Sequence, residues 1–548
     1  LSREVRTWLG LEQERMTPNA LIRELLKAPV DLLWNGGIGT YVKATSETHA
    51  DVGDLANNAL RVNGSELGCQ VIGEGGNLGL TQRGRIEFAR AGGRVNTDFI
   101  DNSAGVDTSD HEVNIKILLN LAVRAGKLTT GERPALMAEM TDEVARMVLR
   151  SNYLQTQAIT MMEKFSPSRM GSKQHLINVL EDEGRLNREL EFLPDDDELK
   201  ERQDRGEGLT RPELAVLLSY SKLSLYDQLL ASDVPEDAWL SDEAANYFPA
   251  PVRERFSSLV PRHRLKREII ATQVTNSLVN RMGASFTLRM HEDTGATPGE
   301  VARAYTIARE VFRARDFWAS IEALDNKTHS DFQTAAMLSM WRLLRQATRW
   351  MLNLQGRKLD IRAMVERLAP GIAAVEKTIR RSMSAEEIEA LKQQMDPFIK
   401  AGFSRKLAQQ TVMLERLFPA LDVVETAARR RSDVERIAQV FFGLGDALEL
   451  KWLRRQVESL AVVGQWHAMS RTNLRDELFG QHNRLVARVL QADGRKRDPV
   501  AAWMETHGER VRQVQKMLSD MRNQAEMDYP TIAVAIRSLG QLADDTAP

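Results

Sequence analysis

Two short segments of the sequence combine residue types and spacings that could bind a ligand. The first runs Gly73-Glu74-Gly75-Gly76-Asn77-Leu78-Gly79 and follows an apolar run. Its glycines would let backbone amides approach a phosphate or a carboxamide closely. On spacing alone it matches a GxGxxxG dinucleotide-binding loop, with Asp98 in the place of the ribose-binding acid. A tight turn that binds nothing explains the same spacing, so both interpretations stay open.

The second segment covers residues 98–112 and is dense in short polar side chains. Because it lies between a predicted strand and a predicted helix, it suits a ligand-lined turn at the carboxyl end of a sheet. The alternative is a helix start in which Ser109 and Asp110 cap the first amides. His111 could act as a general acid, although a surface position at the helix start is the simpler interpretation.

Short apolar runs and amphipathic stretches predict the elements that would position these segments. Three runs predict strands, at residues 30–34, 69–73 and 94–96. The pattern around them predicts helices over residues 17–27, 47–62, 82–91 and 111–125. This alternation indicates an α/β fold with a partial doubly wound, Rossmann-like sheet in residues 1–150.

Glycine becomes rare after Gly126, and long amphipathic stretches replace the alternation. We therefore expect a large all-α C-terminal region, divided into residues 151–330 and 331–548, and a chain that is mostly helical overall. Thr210 and Glu213 have the spacing of a capping box at one helix start. Two segments are predicted to be breaks between helices: residues 194–208 and 249–261.

Composition narrows the classes of function. The 74 lysines and arginines against 76 aspartates and glutamates give a net charge of −2, which disfavours nucleic acid and anionic membranes as partners. Cys69 is the only cysteine in the sequence, so an intrachain disulfide and cysteine-rich zinc sites are excluded. We expect no metal site, no membrane span and a reducing cytoplasm. Since the sequence begins with Leu1 and not Met, we expect the C-terminal portion of a longer protein.

The two polar segments also carry a family resemblance. Residues 74–81 read E-G-G-N-L-G-L-T and resemble the E-G-A-N-x-P-x-T segment of glutamate dehydrogenases. Residues 102–112 read N-S-A-G-V-D-T-S-D-H-E and resemble the N-A-G-G-V-x-x-S-x-x-E segment, in the same order and at the same separation. The text of residues 29–118 is similar to the large bacterial NAD-specific members, and residues 209–218 and 263–272 resemble their helical C-terminal region.

The resemblance implies an NAD-dependent enzyme that oxidises L-glutamate to 2-oxoglutarate and ammonia, as a homo-oligomer. It places Asn77 near the nicotinamide and Asn102 near the nicotinamide ribose. It makes Ser109 a donor to the distal carboxylate of glutamate, which its hydroxyl suits chemically. Three glycines would let the backbone approach the cofactor: Gly75, Gly76 and Gly105.

The same resemblance implies that no catalytic residue lies in this chain. The catalytic lysine and aspartate, and the pyrophosphate-binding G-x-G-x-x-G loop, are expected upstream of Leu1. On this interpretation the Gly73 loop is not the main phosphate loop, and Asp98 loses the ribose-binding role. Gly76 and Gly79 replace the alanine and proline of the smaller enzymes, which loosens the comparison with their geometry. The competing hypothesis is a non-catalytic helical module for oligomerisation or regulation.

Overall fold

The computed structural model describes residues 1–354, 359–383, 385–461, 465–523 and 527–544. These form two compact units, one of residues 1–292 with 297–302 and one of residues 293–296 with 303–548. The chain is mostly helical, as the sequence predicts. The finer division at residues 150 and 330 stays a prediction.

Four short strands lie in the first unit: β1 (Leu32–Asn35), β2 (Val42–Lys43), β3 (Val62–Asn63) and β4 (Val71–Glu74). β1 pairs with β4 and β2 pairs with β3, both in parallel, so that Leu32 faces Val71 and Val42 faces Val62. The strands predicted at 30–34 and 69–73 are therefore confirmed with shifted ends. The strand predicted at 94–96 is wrong, because only Arg94 bridges to Val71 before the chain turns into a helix at Asp98.

Helices fill the rest of the first unit and cross into the second: α1 (Arg3–Leu9), α2 (Pro18–Leu26), α3 (His49–Val52), α4 (Gln82–Arg90), α5 (Asp98–Asp101), α6 (Ser103–Arg124), α7 (Arg133–Glu139), α8 (Thr141–Lys164), α9 (Met170–Asp182), α10 (Asp196–Asp204), α11 (Arg211–Leu230), α12 (Ala238–Glu243), α13 (Ala250–Phe256), α14 (Lys266–Met282), α15 (Phe286–Thr294) and α16 (Pro298–Val311). The second unit continues with α17 (Ala314–Glu322), α18 (Ser330–Leu352), α19 (Ile361–Ser382), α20 (Ala385–Lys400), α21 (Arg405–Met413), α22 (Ala420–Arg430), α23 (Val434–Ala447), α24 (Leu450–Ser459), α25 (Gln465–Ala492), α26 (Pro499–Thr506), α27 (Gly508–Arg522) and α28 (Tyr529–Asp544).

The helix predicted over 47–62 is wrong beyond its first turn. Gly53 ends α3 with a φ of 74°, a left-handed conformation that glycine adopts without steric cost. Asp54 then accepts a hydrogen bond from the amide of Thr40 at 2.8 Å, which holds the chain in a loop before β3. Both predicted breaks are also wrong, since α10 lies within residues 194–208 and α13 within 249–261.

A small apolar core supports the strands, and α11 supports the surrounding helices. The strand core consists of Val42, Val62, Cys69, Ile72, Leu80, Phe88 and Val95. Burial in this core raises the pKa of the Cys69 thiol. The predicted capping box of Thr210 and Glu213 is confirmed at the start of α11, which packs against α4, α8 and α14. In the described part of the chain, no helix is long and apolar enough to cross a membrane.

The second unit contains a buried polar network within its helical core. The Trp350 indole donates to the Asp422 carboxylate at 2.8 Å. Arg454 donates to Nδ1 of His482 at 2.6 Å, and Nε2 of the same ring donates to the carbonyl of Phe441 at 2.9 Å. Desolvation lowers the pKa of His482 well below its usual range and that of Arg454 to about 10. His482 is therefore neutral, with its proton on Nε2.

Candidate functional site

The glycine-rich loop after β4 folds back onto the end of β1. The amides of Gly75 and Gly76 donate to the carbonyl of Asn35 at 2.8 and 3.1 Å. A Cβ at Gly76 would lie 2.1 Å from the carbonyl oxygen of Gly37, which is closer than atoms can approach. These glycines are therefore required by contacts within the protein, whereas the sequence interpretation attributed them to a ligand.

Gly105 is a glycine of another kind. It lies exposed in α6, and no atom would lie within 4 Å of a Cβ placed there. Its spacing from Asn102 and Ser109 puts all three residues on one face of the helix. Of the three predicted glycines, only Gly105 has a Cβ position that the protein leaves open.

The polar segment of residues 98–112 is helical and not a turn. α5 and α6 follow one another with only Asn102 between them, so Ser109 lies in the second turn of α6. Its hydroxyl is 3.4 Å from the carbonyl of Gly105. The interpretation of Ser109 and Asp110 as caps is therefore wrong. α8 anchors the junction, because the Asn152 amide donates to the carbonyl of Ile100 at 2.7 Å.

Asn77 and Asn102, one from each predicted segment, meet in the structure. The Nδ2 group of Asn102 donates to Oδ1 of Asn77 at 2.5 Å. Within the described part of the chain, neither the Nδ2 group of Asn77 nor the Oδ1 atom of Asn102 makes a hydrogen bond. The pair thus presents the Nδ2 amino group of Asn77 as a donor and the Oδ1 atom of Asn102 as an acceptor. Such a pair matches the acceptor and donor of a carboxamide.

A buried ion network joins the two segments that carry this pair. Arg85 of α4 donates to both oxygens of Glu74, at 2.7 and 2.9 Å, and lies 3.2 Å from a carboxylate oxygen of Asp98. Burial raises the pKa of Glu74, although its hydrogen bonds with Arg85 act in the opposite direction. Burial also disfavours the charged guanidinium, but Glu74, Asp98 and Asp101 together outweigh this effect and raise the pKa of Arg85.

Sequence reasoning missed Arg85, although one signal pointed to it. Gly84, Arg85 and Phe88 are the buried residues of α4, so the arginine lies on the inward face of an amphipathic helix. An arginine at such a position must find a carboxylate or lose its solvation without compensation. Helical periodicity does not indicate that its partners are Glu74 and Asp98.

A residue from the segment 209–218, which resembles the helical C-terminal region of the family, also supports the site. Arg211, the first residue of α11, donates to the side-chain oxygen of Asn96 at 2.9 Å. Asn96 in turn donates to Asp101 at 2.8 Å, and Asp101 accepts a hydrogen bond from the amide of Glu74 at 3.1 Å. Residues 209–218 therefore contribute a structural anchor for the loop.

His111 is buried, so the surface interpretation is wrong. Its ring stacks on Tyr247 at 4.3 Å between centroids, and its Nε2 lies 3.8 Å from Asp107. Burial lowers the pKa of His111, while Asp107 and Asp110 act in the opposite direction. The ring leaves α6 on the side opposite Ser109.

Comparison with known proteins gives two family matches. The family model for the bacterial NAD-glutamate dehydrogenase catalytic domain matches residues 1–162. The model for the C-terminal part of glutamate dehydrogenase matches residues 206–541. The chain belongs to the large bacterial NAD-specific glutamate dehydrogenase family. The first of these matches covers both segments of the Asn77–Asn102 site.

Three curated relatives in this family carry the name NAD-specific glutamate dehydrogenase. The protein from Halomonas elongata is 44% identical over 541 residues, or 98% of this chain. The protein from Pseudomonas aeruginosa is 44% identical over 99% of the chain, and that from Mycobacterium tuberculosis is 37% identical over 99%. In each case the match covers 34% of the relative, so this chain spans about a third of their length.

Proposed function

We propose that this chain is part of an NAD-dependent glutamate dehydrogenase, which oxidises L-glutamate to 2-oxoglutarate and ammonia. The observation that carries the proposal is the contact between Asn77 and Asn102, since it joins the two predicted segments into one amide pair. NAD, when bound, accepts the hydride in this reaction. The chain supplies contacts to the nicotinamide side of the cofactor and to the substrate.

Each site residue then has a defined role. Asn77 donates to the carboxamide of the nicotinamide, and Asn102 accepts from a donor on the nicotinamide or its ribose. Gly105 leaves the surface of α6 open for the cofactor to approach. Ser109, on the same face, donates its hydroxyl proton in a hydrogen bond to the distal carboxylate of glutamate. Gly75 and Gly76 act indirectly, since they shape the loop that carries Asn77.

The remaining machinery is assigned to the part of the longer relatives that this chain does not span. We place there the lysine and aspartate that handle water, ammonia and protons, and the loop that binds the pyrophosphate. On this proposal β1 and β4 belong to a doubly wound sheet. Leu32 and Trp34 lie on one face of β1 and are 55% and 59% exposed, which supports a further layer against that face, as a doubly wound sheet has. The homo-oligomeric state and the cytoplasmic location remain predictions.

Replacing Ser109 by alanine in the complete protein tests the substrate assignment. We expect the KM for glutamate to rise by about ten- to a hundredfold, because one charge-assisted hydrogen bond is lost, while the KM for NAD is unchanged. Thr108→Ala is the matched control, since that hydroxyl bonds to the carbonyl of Ala104 at 2.7 Å on another side of the helix. An unchanged KM and kcat for Ser109→Ala would remove Ser109 from the site.

Alanine at Asn77 or Asn102 tests the cofactor assignment. We expect each single variant to raise the KM for NAD, and the double variant to add little to either, because the two side chains act as one pair. If the complete protein shows no binding of NAD, with or without these substitutions, the enzymatic proposal fails. The helical oligomerisation or regulatory module would then be the remaining hypothesis.

A further inference from the structure

Arg85 is a buried cation that lies between the two site segments and belongs to neither. Its side chain is 4% exposed, and it contacts a carboxylate at the start of each segment. Glu74 precedes the Asn77 loop, and Asp98 begins the helix that leads to Asn102. One guanidinium therefore joins the two parts of the chain that must meet for the amide pair to form.

The two carboxylates hold the backbone of the loop as well as the arginine. The Oε1 atom of Glu74 accepts a hydrogen bond from the amide of Leu80 at 3.1 Å. The Oδ2 atom of Asp98 accepts one from the amide of Leu78 at 2.8 Å. The loop that carries Asn77 is thus fixed on its far side by two hydrogen bonds whose acceptors are both set by Arg85.

Leu78 shows that this part of the loop is under constraint. It has a φ of 56°, a left-handed conformation that an L-residue with a side chain adopts at an energetic cost. The residue is 62% exposed, so apolar packing does not compensate for that cost. The hydrogen bond from its amide to Asp98 is the contact that holds the conformation. Strain of this kind persists only where surrounding contacts over-determine it.

We infer that Arg85 is a positioning residue of the cofactor site, which sets the relative placement of Asn77 and Asn102 through Glu74 and Asp98. This inference rests on the proposed NAD-dependent function. A purely structural arginine would lower stability when replaced and leave the properties of the folded enzyme unchanged. A positioning arginine would change how well the folded enzyme binds NAD, because small displacements of binding groups have large effects.

Arg85→Lys in the complete protein separates these two roles. Lysine keeps the charge but cannot bond to two oxygens of Glu74 while reaching Asp98. We expect the KM for NAD to rise by about ten- to a hundredfold, with kcat changed by less than about threefold. Arg61→Lys is the matched control, because Arg61 is 2% exposed and donates to the carbonyl of Thr40 at 2.8 Å, outside the loop. Arg61→Lys should leave the KM for NAD unchanged.

A double variant provides the decisive readout. If Arg85 acts by placing Asn102, then Asn102→Ala should have a much smaller effect on the KM for NAD in the Arg85→Lys background than in the wild type. Additive effects would overturn the inference, because they would show that the two residues act independently. Should Arg85→Lys fail to fold, Asp98→Asn tests the same link, since it weakens the contact to Arg85 and the hydrogen bond from Leu78.

Amide hydrogen exchange tests the inference independently of enzymatic activity. Arg85→Lys should accelerate exchange at the amides of Leu78 and Leu80, whereas Arg61→Lys should not. A complete wild-type protein that lacks NAD-dependent glutamate oxidation would refute the proposed function, while this exchange result would still report on Arg85. Unchanged exchange at both amides would overturn the positioning role even in an active enzyme.

Discussion

Alanine substitutions at Gly76 and Gly105 should have opposite effects on stability, although both residues belong to the predicted cofactor site. A Cβ at Gly76 would lie 2.1 Å from the carbonyl oxygen of Gly37, and backbone cannot move aside as a flexible side chain can. Gly76→Ala should therefore destabilise the loop by about 1–3 kcal/mol, the usual cost of overpacking. Gly105 lies in helix α6 with no atom within 4 Å of a Cβ. Gly105→Ala should stabilise that helix by about 0.5–1 kcal/mol.

Both substitutions should weaken the binding of NAD, although their effects on stability are opposite. Gly105→Ala adds a methyl group to the face of α6 between Asn102 and Ser109, where the proposed cofactor approaches. We expect it to weaken NAD binding about tenfold or more while making the helix more stable. Gly76→Ala should also weaken binding, but through displacement of the loop that carries Asn77.

Local measurements are required, because the chain consists of two units and a single melting temperature would mix their transitions. Amide hydrogen exchange in α6 and in residues 75–80 gives the local stability, and titration calorimetry gives the affinity of the complete protein for NAD. Equal stability effects of the two substitutions would refute the packing argument. Unchanged NAD affinity in Gly105→Ala would remove α6 from the cofactor site.

Three further predictions concern stability, each measured by denaturant unfolding that is followed with a probe confined to the unit in question. Burial and Arg169 lower the pKa of Lys173 to about 7. The free energy of unfolding should therefore decrease as the pH falls from about 10 to 7, because the unfolded state binds the proton more tightly. Lys173→Met should remove this pH dependence and raise the free energy of unfolding at pH 7 by at most about 5 kcal/mol. Because burial lowers the pKa of His482, stability should fall below about pH 6.5 by up to about 1.4 kcal/mol per pH unit, and His482→Gln should reduce that slope. Glu213→Ala should cost about 1–3 kcal/mol, because it removes the 2.9 Å bond to the buried Arg202, which keeps Glu198 as a partner, and also breaks the capping box of α11. A loss below about 0.5 kcal/mol would contradict this.

The sequence correctly predicted those helix starts and strands that depend on residues close to one another in the chain. The Thr210 capping box and the apolar runs of β1 and β4 are confirmed, because caps and strand propensity act over a few residues. The helix predicted over residues 47–62 is wrong because Gly53 ends it and Asp54 binds the distant amide of Thr40. That contact joins residues 14 positions apart, and periodicity contains no information about it.

The polar segment shows the same limit at the site itself. Its density of short polar side chains suggested a turn, yet these residues are helical. The carboxylates of Asp98 and Asp101 accept hydrogen bonds from the backbone amides of Leu78 and Glu74, which lie 20 and 27 residues away in the sequence. The side chains are polar because they hold another loop, and not because their own backbone turns. The resemblance placed Asn77 and Asn102 near the same end of the cofactor, whereas their direct contact and the role of Arg85 became visible only in the fold.

The burial of Cys69 has a practical consequence for following this site by spectroscopy. It is the only thiol in the sequence, it is packed in the strand core, and its pKa is raised. Alkylating probes react with exposed thiolates, so the folded chain offers them almost no background. A single cysteine introduced at Thr108, on α6 but outside the proposed ligand face, would then carry one fluorophore at a known position. Quenching or polarisation of that dye would report changes at α6, and no native cysteine within residues 1–548 would have to be replaced.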